Sequence, residues 1–411
     1  MVFLPEDDFE VARAVTFAAS TDLPLSIRSG GHGLSGRSSN DGGIVIDLSA
    51  MSAVDVVDPI AHMVRVQAGA RWAKVAEALD PLGLAISSGD HGNVGVGGLA
   101  TAGGAGWLAR SYGLTIDRIR AATVVLADGR VVRTDSIHEP DLLWAVRGAG
   151  DRVGVVTEFE IEAVQLEHIG IGQVTIEVDA DGTSLRRWSE HLSTAPRELT
   201  TNGVLFADGS SFALQLTAVV ALGDPDSIRS LIEPIAQLGV RTLGLQAQLG
   251  RYSMLVSTGH LHPNVGQQPS TTTNALLPTL TAESARAIMR VAEHPNGPLV
   301  QLRSLGGAIN DVAASDTAYP HRDQQVLAIA SIFPPSGIGE LDQAVRPLWA
   351  HAGGAYRNFE SHPNEATFDR AFGDLAGTRV LNLAKEYDPE GLFSSGKNPS
   401  RRSPTEKLRR G

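Results

Sequence analysis

Residues 28–36 read RSGGHGLSG, and the preceding run LPLSI (23–27) is typical of a short strand. Four glycines surround His32. Glycine turns bring backbone N–H groups together without intervening side chains, so they suit an anion such as a phosphate. The pattern predicts a strand that ends in a ligand-binding turn carrying one imidazole, although the glycines alone are also compatible with an ordinary tight turn.

A second glycine-rich stretch, GVGGLATAGGAG, occupies residues 95–106 and contains six glycines. Its first residues satisfy the G-x-G-x-x-G/A dinucleotide pattern, and Asp117 follows where a ribose-binding acid would stand. The context argues against a Rossmann fold, because the preceding SSGDHGN (87–93) is polar and the later glycines disfavour a helix. We therefore interpret this stretch as a second backbone cradle.

The composition of the whole chain restricts the class of protein. A chain of 411 residues is longer than the roughly 250–300 residues that one hydrophobic core usually accommodates, so we expect two lobes. The net charge of −12 disfavours nucleic acid and anionic membranes as partners. Because the chain has no cysteine, disulfides, thiolate metal sites and cysteine nucleophiles are excluded. No H-E-x-x-H motif occurs and the histidines are scattered, so we expect no metal site.

The chain termini and apolar runs bear on location. MVFLPEDDFEVARAV (1–15) lacks the basic start and apolar core of a secretion signal, and no apolar run reaches the length of a membrane span. We expect a cytoplasmic protein. The basic tail RRSPTEKLRRG (401–411) is typical of a disordered end. Nothing in the sequence indicates the oligomeric state.

The order of predicted elements divides the chain into an α+β fold with two lobes. Residues 1–165 mix helices with short strands and a hairpin at 119–135 that turns at an Asp-Gly pair. Residues 166–365 alternate strands and helices, which predicts an antiparallel sheet flanked by helices. Residues 366–411 begin as a helix and return to the first lobe.

Five segments occur in an order that resembles a known family. They are RSGGHGLSG (28–36), GIVIDLS (43–49), VGVGGLATAGGAGWLARSYGLTIDRI (94–119), LLWAVRGAGDRVGVVTEFE (142–160) and YDPEGLF (387–393). Together they resemble the vanillyl-alcohol-oxidase or PCMH-type FAD-linked oxidases, in the berberine-bridge-enzyme-like branch. The resemblance implies a two-lobed FAD-binding domain, with residues 166–365 as the substrate domain.

The resemblance assigns the flavin attachment. In the family, the histidine of the first glycine turn is joined covalently to FAD, and the matching residue is His32. Many relatives form a second link through a cysteine, but the matching position here is His91, so a single covalent link is implied. A loop role for His91 remains equally open. The further cofactor-binding residues implied by the resemblance are Arg28, Ser29, Gly30, Gly31, Gly33, Val94, Gly95, Gly97, Gly98, Gly103, Gly104, Gly154, Val156, Asn358 and Asn398.

The family's Y-x-N motif matches residues 356–358, which makes Tyr356 and Asn358 candidate catalytic residues. Tyr356 could act as a base if its pKa is lowered, or it could only orient the substrate, because amine oxidation does not require a base. The segment TAYPHRDQQVLAIASI (317–332) resembles the strand that crosses the substrate face of the flavin. His321, Arg322, Asp323 and Gln325 are candidates there, but strand alternation lets only half of the side chains face the site, and among them we favour Gln325. The same alternation leaves the orientation of Arg303 open.

The resemblance implies hydride transfer from a small amine, alcohol or secondary-metabolite intermediate to FAD, with O₂ as the electron acceptor and H₂O₂ as a product. A dehydrogenase with another acceptor and a catalytically silent flavin-binding protein remain alternatives. One stretch departs from the family pattern: GAGDRVGVVT (148–157) carries Asp151, Arg152 and Val153 where relatives usually have residues that include Asn and Phe. This departure puts the lining of the flavin edge in doubt.

Overall fold

A computed structural model describes residues 1–208, 211–256, 270–295 and 297–393. The first ten strands form small sheets with five helices around them. In chain order they are β1 (Val2–Phe3), α1 (Asp8–Ala19), β2 (Leu25–Arg28), β3 (Ile44–Asp47), β4 (Val54–Asp58), β5 (Met63–Gln67), α2 (Trp72–Leu79), β6 (Leu84–Ala85), α3 (Val96–Ala100), α4 (Ala109–Tyr112), β7 (Ile119–Val125), β8 (Val131–Asp135), α5 (Pro140–Ala149), β9 (Val155–Glu162) and β10 (Val164–Gln165).

The remaining elements build one large sheet with its helices. They are β11 (Ile169–Val178), α6 (Thr183–Thr194), β12 (Leu199–Asp208), β13 (Ser211–Val220), α7 (Pro225–Ile232), β14 (Arg241–Gly250), α8 (Tyr252–Leu255), β15 (Thr271–Leu277), α9 (Ala282–Ala292), β16 (Leu299–Ser304), β17 (Val326–Ile332), α10 (Ile338–Trp349) and α11 (Glu365–Tyr387). In the described part of the chain, no helix has the length and apolarity needed to cross a membrane.

In the described part of the chain, the strands form four sheets. The first part of the chain contains a three-stranded sheet (β1-β3-β2), a five-stranded sheet (β4-β5-β9-β7-β8) and the pair β10-β6. The second part forms a seven-stranded sheet in the order β14-β11-β13-β12-β16-β17-β15, in which every neighbouring pair is antiparallel. The expected α+β class, with an antiparallel sheet flanked by helices, is confirmed.

Alternation along the strands gives the large sheet two different faces. On β16, Val300 and Leu302 point into a core shared with α6, α7, α9 and α10. The alternate residues Gln301 and Arg303 point to the opposite face, which borders a large cavity. The sheet therefore buries one face under helices and offers the other to a ligand.

The end of the described chain returns to the first lobe. In α11, the Asn364 side chain accepts a hydrogen bond from the Thr367 backbone N–H at 2.9 Å and caps the helix. The helix breaks at Gly373, where φ is +61°, and ends before Asp388. The Asp388 carboxylate accepts bonds from the backbone N–H groups of Leu392 and Phe393, both at 2.7 Å. The predicted disordered tail lies outside the described residues.

Candidate active site

The two glycine turns predicted from the sequence pack directly against each other. A Cβ atom added at Gly30 would collide with the backbone of Gly95, and one added at Gly95 would collide with Gly30 and Ser29. The Ser29 hydroxyl donates to the Ala68 carbonyl at 2.5 Å and accepts from the Gly97 N–H at 3.3 Å. Only glycine allows this approach, so the two turns form one continuous backbone surface.

Arg71 holds the two turns together. Its guanidinium donates to the Gly30 carbonyl at 3.2 Å and also to the Asn93 carbonyl. Arg71 also forms a backbone bridge with Gly95 at the start of α2. One charged side chain therefore fixes the turn that carries His32 relative to the loop that carries His91.

His32 and His91 lie beside each other on the cavity wall, with ring centroids 5.4 Å apart. The Nδ1 atom of His91 accepts a hydrogen bond from the Asn93 backbone N–H at 3.2 Å, which places its proton on Nε2 when the ring is neutral. Burial lowers the pKa of His32, and the nearby His91 and Arg71 lower it further. The His32 imidazole is therefore neutral at neutral pH and keeps a nucleophilic ring nitrogen.

The turns and histidines line a cavity of about 1050 Å³. This volume lies at the upper end of the range of about 300–1,000 Å³ typical of ligand sites. The cavity wall includes most of the predicted site residues: Ser29, Gly30, Gly31, His32, Gly33, His91, Val94, Gly95, Gly97, Gly98, Gly154, Val156, Tyr356 and Asn358. The glycines of the turns present backbone to the cavity, and a Cβ atom added at Gly98 would meet only open space, so the wall has room for a dinucleotide such as FAD.

Four predicted residues do not line the cavity. Arg28 forms an ion pair with Asp47 at 2.9 Å. Gly103 and Gly104 pack behind the wall, where added Cβ atoms would meet Tyr356 and Thr115. Gln325 precedes β17 and packs beside Gly306, so the structure does not bring it to the cavity. Asn398 lies outside the described residues.

The segment 317–332 is extended only in its second half, which corrects the expectation of one long strand. Strand β17 begins at Val326. Before it, Arg322 forms a two-pronged ion pair with Asp117 at 2.8 and 2.9 Å, and both side chains are 5% exposed. The imidazole of His321 contacts the Ala371 carbonyl at 2.9 Å. These polar side chains stabilise the fold, and the β17 residues that reach the cavity are Ile329 and Ser331.

Tyr356 is buried and firmly positioned. The side chain of Asn274 accepts from its backbone N–H at 2.7 Å and donates to its carbonyl at 3.0 Å. The phenolic oxygen accepts from the Gly104 N–H at 2.8 Å and from the Asn358 side-chain amide at 3.3 Å. Burial raises the pKa of the phenol despite these donors. A tyrosine that acts as a base needs a lowered pKa, and the surroundings of Tyr356 have the opposite effect.

Arg303 is a cavity residue whose orientation the sequence left undecided. Its side chain is 8% exposed and pairs with Asp90 at 2.6 Å, while its guanidinium lies 4.6 Å from the Phe359 ring centroid. Asp90 belongs to the loop of His91, so this ion pair joins the large sheet to the histidine loop. In the sequence, only strand alternation indicates which residues of β16 share a face. Alternation does not tell which of the two faces borders the cavity unless the orientation of one residue is already known.

Comparisons with known proteins agree with the geometry. Residues 1–135 match the FAD binding domain family. A stretch of 157 residues is 41% identical to (R)-6-hydroxynicotine oxidase from Paenarthrobacter nicotinovorans, covering 38% of this chain and 34% of that relative. The structure of 6-hydroxy-D-nicotine oxidase from Arthrobacter nicotinovorans superposes with a TM-score of 0.83 at 26% identity over 97% of this chain and 91% of that chain. A chitooligosaccharide oxidase gives 0.85 at 26% identity over 95% and 90%.

The fold, the cavity and these matches define an FAD-dependent oxidoreductase. Residues 1–135 match an FAD binding domain, and over almost its whole length the chain is similar to FAD-linked oxidases of known structure.

Proposed function

We propose that this chain oxidises a C–H bond of a small amine, alcohol or secondary-metabolite intermediate, with FAD held by a single covalent link to His32. The observation that carries the proposal is that His32, both glycine turns, Tyr356 and Asn358 line one cavity. When bound, FAD supplies the acceptor for a hydride and the route to O₂ that yields H₂O₂.

The glycine turns would contribute backbone contacts to the diphosphate of the cofactor. Gly31, Gly33 and Gly98 line the cavity, and a Cβ atom added at any of them would meet no atom closer than 3.7 Å, so an anion can approach the backbone there. His32 would supply the ring nitrogen that attaches to the flavin methyl group. Arg71 would keep that imidazole in register with the turns, since it bonds to carbonyls on both sides.

Tyr356 would orient the substrate as a neutral hydrogen-bond donor. Its oxygen already accepts from Gly104 and Asn358, so its own hydroxyl proton is available for a group in the cavity. The raised pKa keeps that proton on the oxygen at neutral pH. This role suits an amine substrate, whose lone pair assists hydride departure without a base.

The cofactor proposal is tested by acid precipitation of the purified protein. We expect the flavin absorbance to remain with the precipitate of the wild type and of His91→Ala, and to be released from His32→Ala. His91→Ala is the matched control, since both rings line the same wall. Release of all FAD from the wild type, or retention in His32→Ala, would show that the covalent link is absent or lies elsewhere.

The activity is tested by measuring H₂O₂ during turnover with a panel of amines, alcohols and oligosaccharides. Peroxide formed with a small amine or alcohol supports the proposal. Substrate-dependent flavin reduction without peroxide would identify a dehydrogenase that uses another acceptor. Turnover confined to oligosaccharides would overturn the proposed substrate class and place the chain with relatives such as the chitooligosaccharide oxidase.

A further inference from the structure

Three arginines and one aspartate form a cluster on the cavity wall. Its members are Arg37, Asp151, Arg152 and Arg357, all of which line the cavity. Asp151 Oδ2 lies 2.5 Å from the Arg357 guanidinium and 3.5 Å from that of Arg37. We refer to these four residues as the arginine cluster. They come from three distant parts of the chain and meet only in the folded protein.

The arginine cluster carries more positive charge than its aspartate can balance. Burial favours the neutral form of Asp151, but the guanidinium groups of Arg357, Arg152 and Arg37 outweigh it and lower the pKa of the carboxyl. Asp151 is therefore ionised, and two positive charges remain in excess. Like charges held together in a half-buried site repel each other, so a bound anion would stabilise the arrangement.

Arg152 has no hydrogen-bond or ion-pair partner among the residues that the structure describes. Its Nε atom is buried and unpaired, and its guanidinium lies 5.1 Å from the Phe368 ring centroid. Stacking uses the face of a guanidinium and leaves the N–H groups at its edge free. Arg152 lines the cavity and has no acceptor among the described residues, so an acceptor that enters the cavity can pair with its terminal N–H groups.

Part of this cluster already stands out in the sequence. Asp151 and Arg152 lie in the stretch that departs from the family pattern, and the FAD chemistry of the proposed function does not require them. Arg147 provides a contrast, because it also has a buried unpaired Nε atom but contacts the Asp316 carbonyl away from the cavity. The cavity position is what makes Arg152 suitable for a ligand.

We propose that the arginine cluster is a binding site for an oxyanion, either a phosphate or a carboxylate, inside the cavity. Guanidinium groups suit these ligands, since their planar N–H edges pair with two oxygens at once. The oxyanion has two possible sources, which are the diphosphate of FAD and an anionic group on the substrate. The second source rests on the proposed function, whereas the anion site itself does not.

The test measures anion binding without turnover. The protein as purified is titrated with inorganic phosphate, pyrophosphate or benzoate at constant ionic strength, and its thermal midpoint and FAD content per chain are recorded. Arg152→Gln is compared with Arg152→Lys and with the matched control Arg147→Gln. If the substrate supplies the oxyanion, benzoate or phosphate raises the midpoint of the wild type, and Arg152→Gln weakens this binding about tenfold or more at unchanged FAD content.

If FAD supplies the oxyanion, the loaded wild type does not respond to added anions, and Arg152→Gln instead lowers the FAD content or its affinity in reconstitution. Arg152→Lys keeps the charge and the folded state but loses the paired N–H edge, so we expect an intermediate result in either case. The proposal is overturned if Arg152→Gln and Arg147→Gln match the wild type in anion binding and in FAD content. A failure to find any oxidised substrate would leave these readouts intact and would count only against the proposed function.

Discussion

Replacing Tyr356 by phenylalanine distinguishes an orienting tyrosine from a catalytic base. The change removes the acceptor for the Gly104 N–H at 2.8 Å and for the Asn358 amide at 3.3 Å. An unsatisfied buried donor costs about 1–3 kcal/mol, and the longer Asn358 contact contributes less. We expect a loss of about 2 kcal/mol in the free energy of unfolding and a fall of about 2–3 °C in the thermal midpoint.

The kinetic effect of the same change depends on the role of the hydroxyl. One hydrogen bond that orients the substrate is worth about 0.5–1.5 kcal/mol, which corresponds to a loss of about 2–13-fold in the rate of flavin reduction. Loss of a general base would cost about 10²–10⁴-fold. The assay is anaerobic flavin reduction as a function of pH, with the substrate that the peroxide screen identifies.

We expect Tyr356→Phe to stay within the smaller range and to keep the pH profile of the wild type, because burial raises the pKa of the phenol. Tyr319→Phe is the matched control, since this buried tyrosine lies 6.1 Å from the Tyr356 ring and does not line the cavity. A loss above about 100-fold, together with the disappearance of the limb in which the rate rises with pH, would refute the orienting role.

Three further predictions concern the supports of the site. Arg71→Met removes the hydrogen bonds that link the turn of His32 to the His91 loop. We expect the purified variant to fold normally by circular dichroism but to retain less acid-stable flavin. Unchanged flavin attachment would contradict a positioning role for Arg71. Because burial, His91 and Arg71 lower the pKa of His32, the rate of covalent attachment to apoprotein should fall with a midpoint below the usual imidazole pKa of about 6.5; a midpoint at or above that value would refute this. Asp117→Asn leaves the buried Arg322 without its carboxylate and should reduce the free energy of unfolding by about 3–5 kcal/mol, lowering the thermal midpoint by about 3–6 °C; a loss below about 1 kcal/mol would contradict the buried pair.

The glycine turns show how much of the site local sequence can predict. A strand followed by RSGGHG specifies a turn with exposed N–H groups, and the structure brings this turn and residues 95–98 to the cavity wall. Asp117 shows the opposite case. Its spacing from the glycines mimics a ribose-binding acid, but the structure pairs it with Arg322, which lies 205 positions further along the chain. The spacing of residues within a short motif cannot predict an ion-pair partner that lies so far along the chain.

Gln325 and the arginine cluster were beyond local prediction for different physical reasons. The sequence predicts a strand over the whole segment, but Pro320 and the Arg322 ion pair prevent regular pairing before Val326. The predicted alternation therefore does not apply to Gln325, which does not reach the cavity. The cluster depends on Asp151 meeting Arg37 and Arg357, which only the folded chain brings together. Asp151 and Arg152 were visible in the sequence as a departure from a pattern, but their charge became meaningful through those contacts.

The contacts that shape the cavity also join the two parts of the chain. Tyr356 bonds to Gly104, Arg303 pairs with Asp90, and Arg357 pairs with Asp151. In each case a residue after position 166 meets a residue from the first 165, at or directly behind the cavity wall. The same bonds therefore stabilise the fold and fix the position of the large sheet relative to the two glycine turns. A substitution at any of these pairs changes stability and site geometry at once, so a rate measured without a thermal midpoint cannot assign a chemical role to the residue.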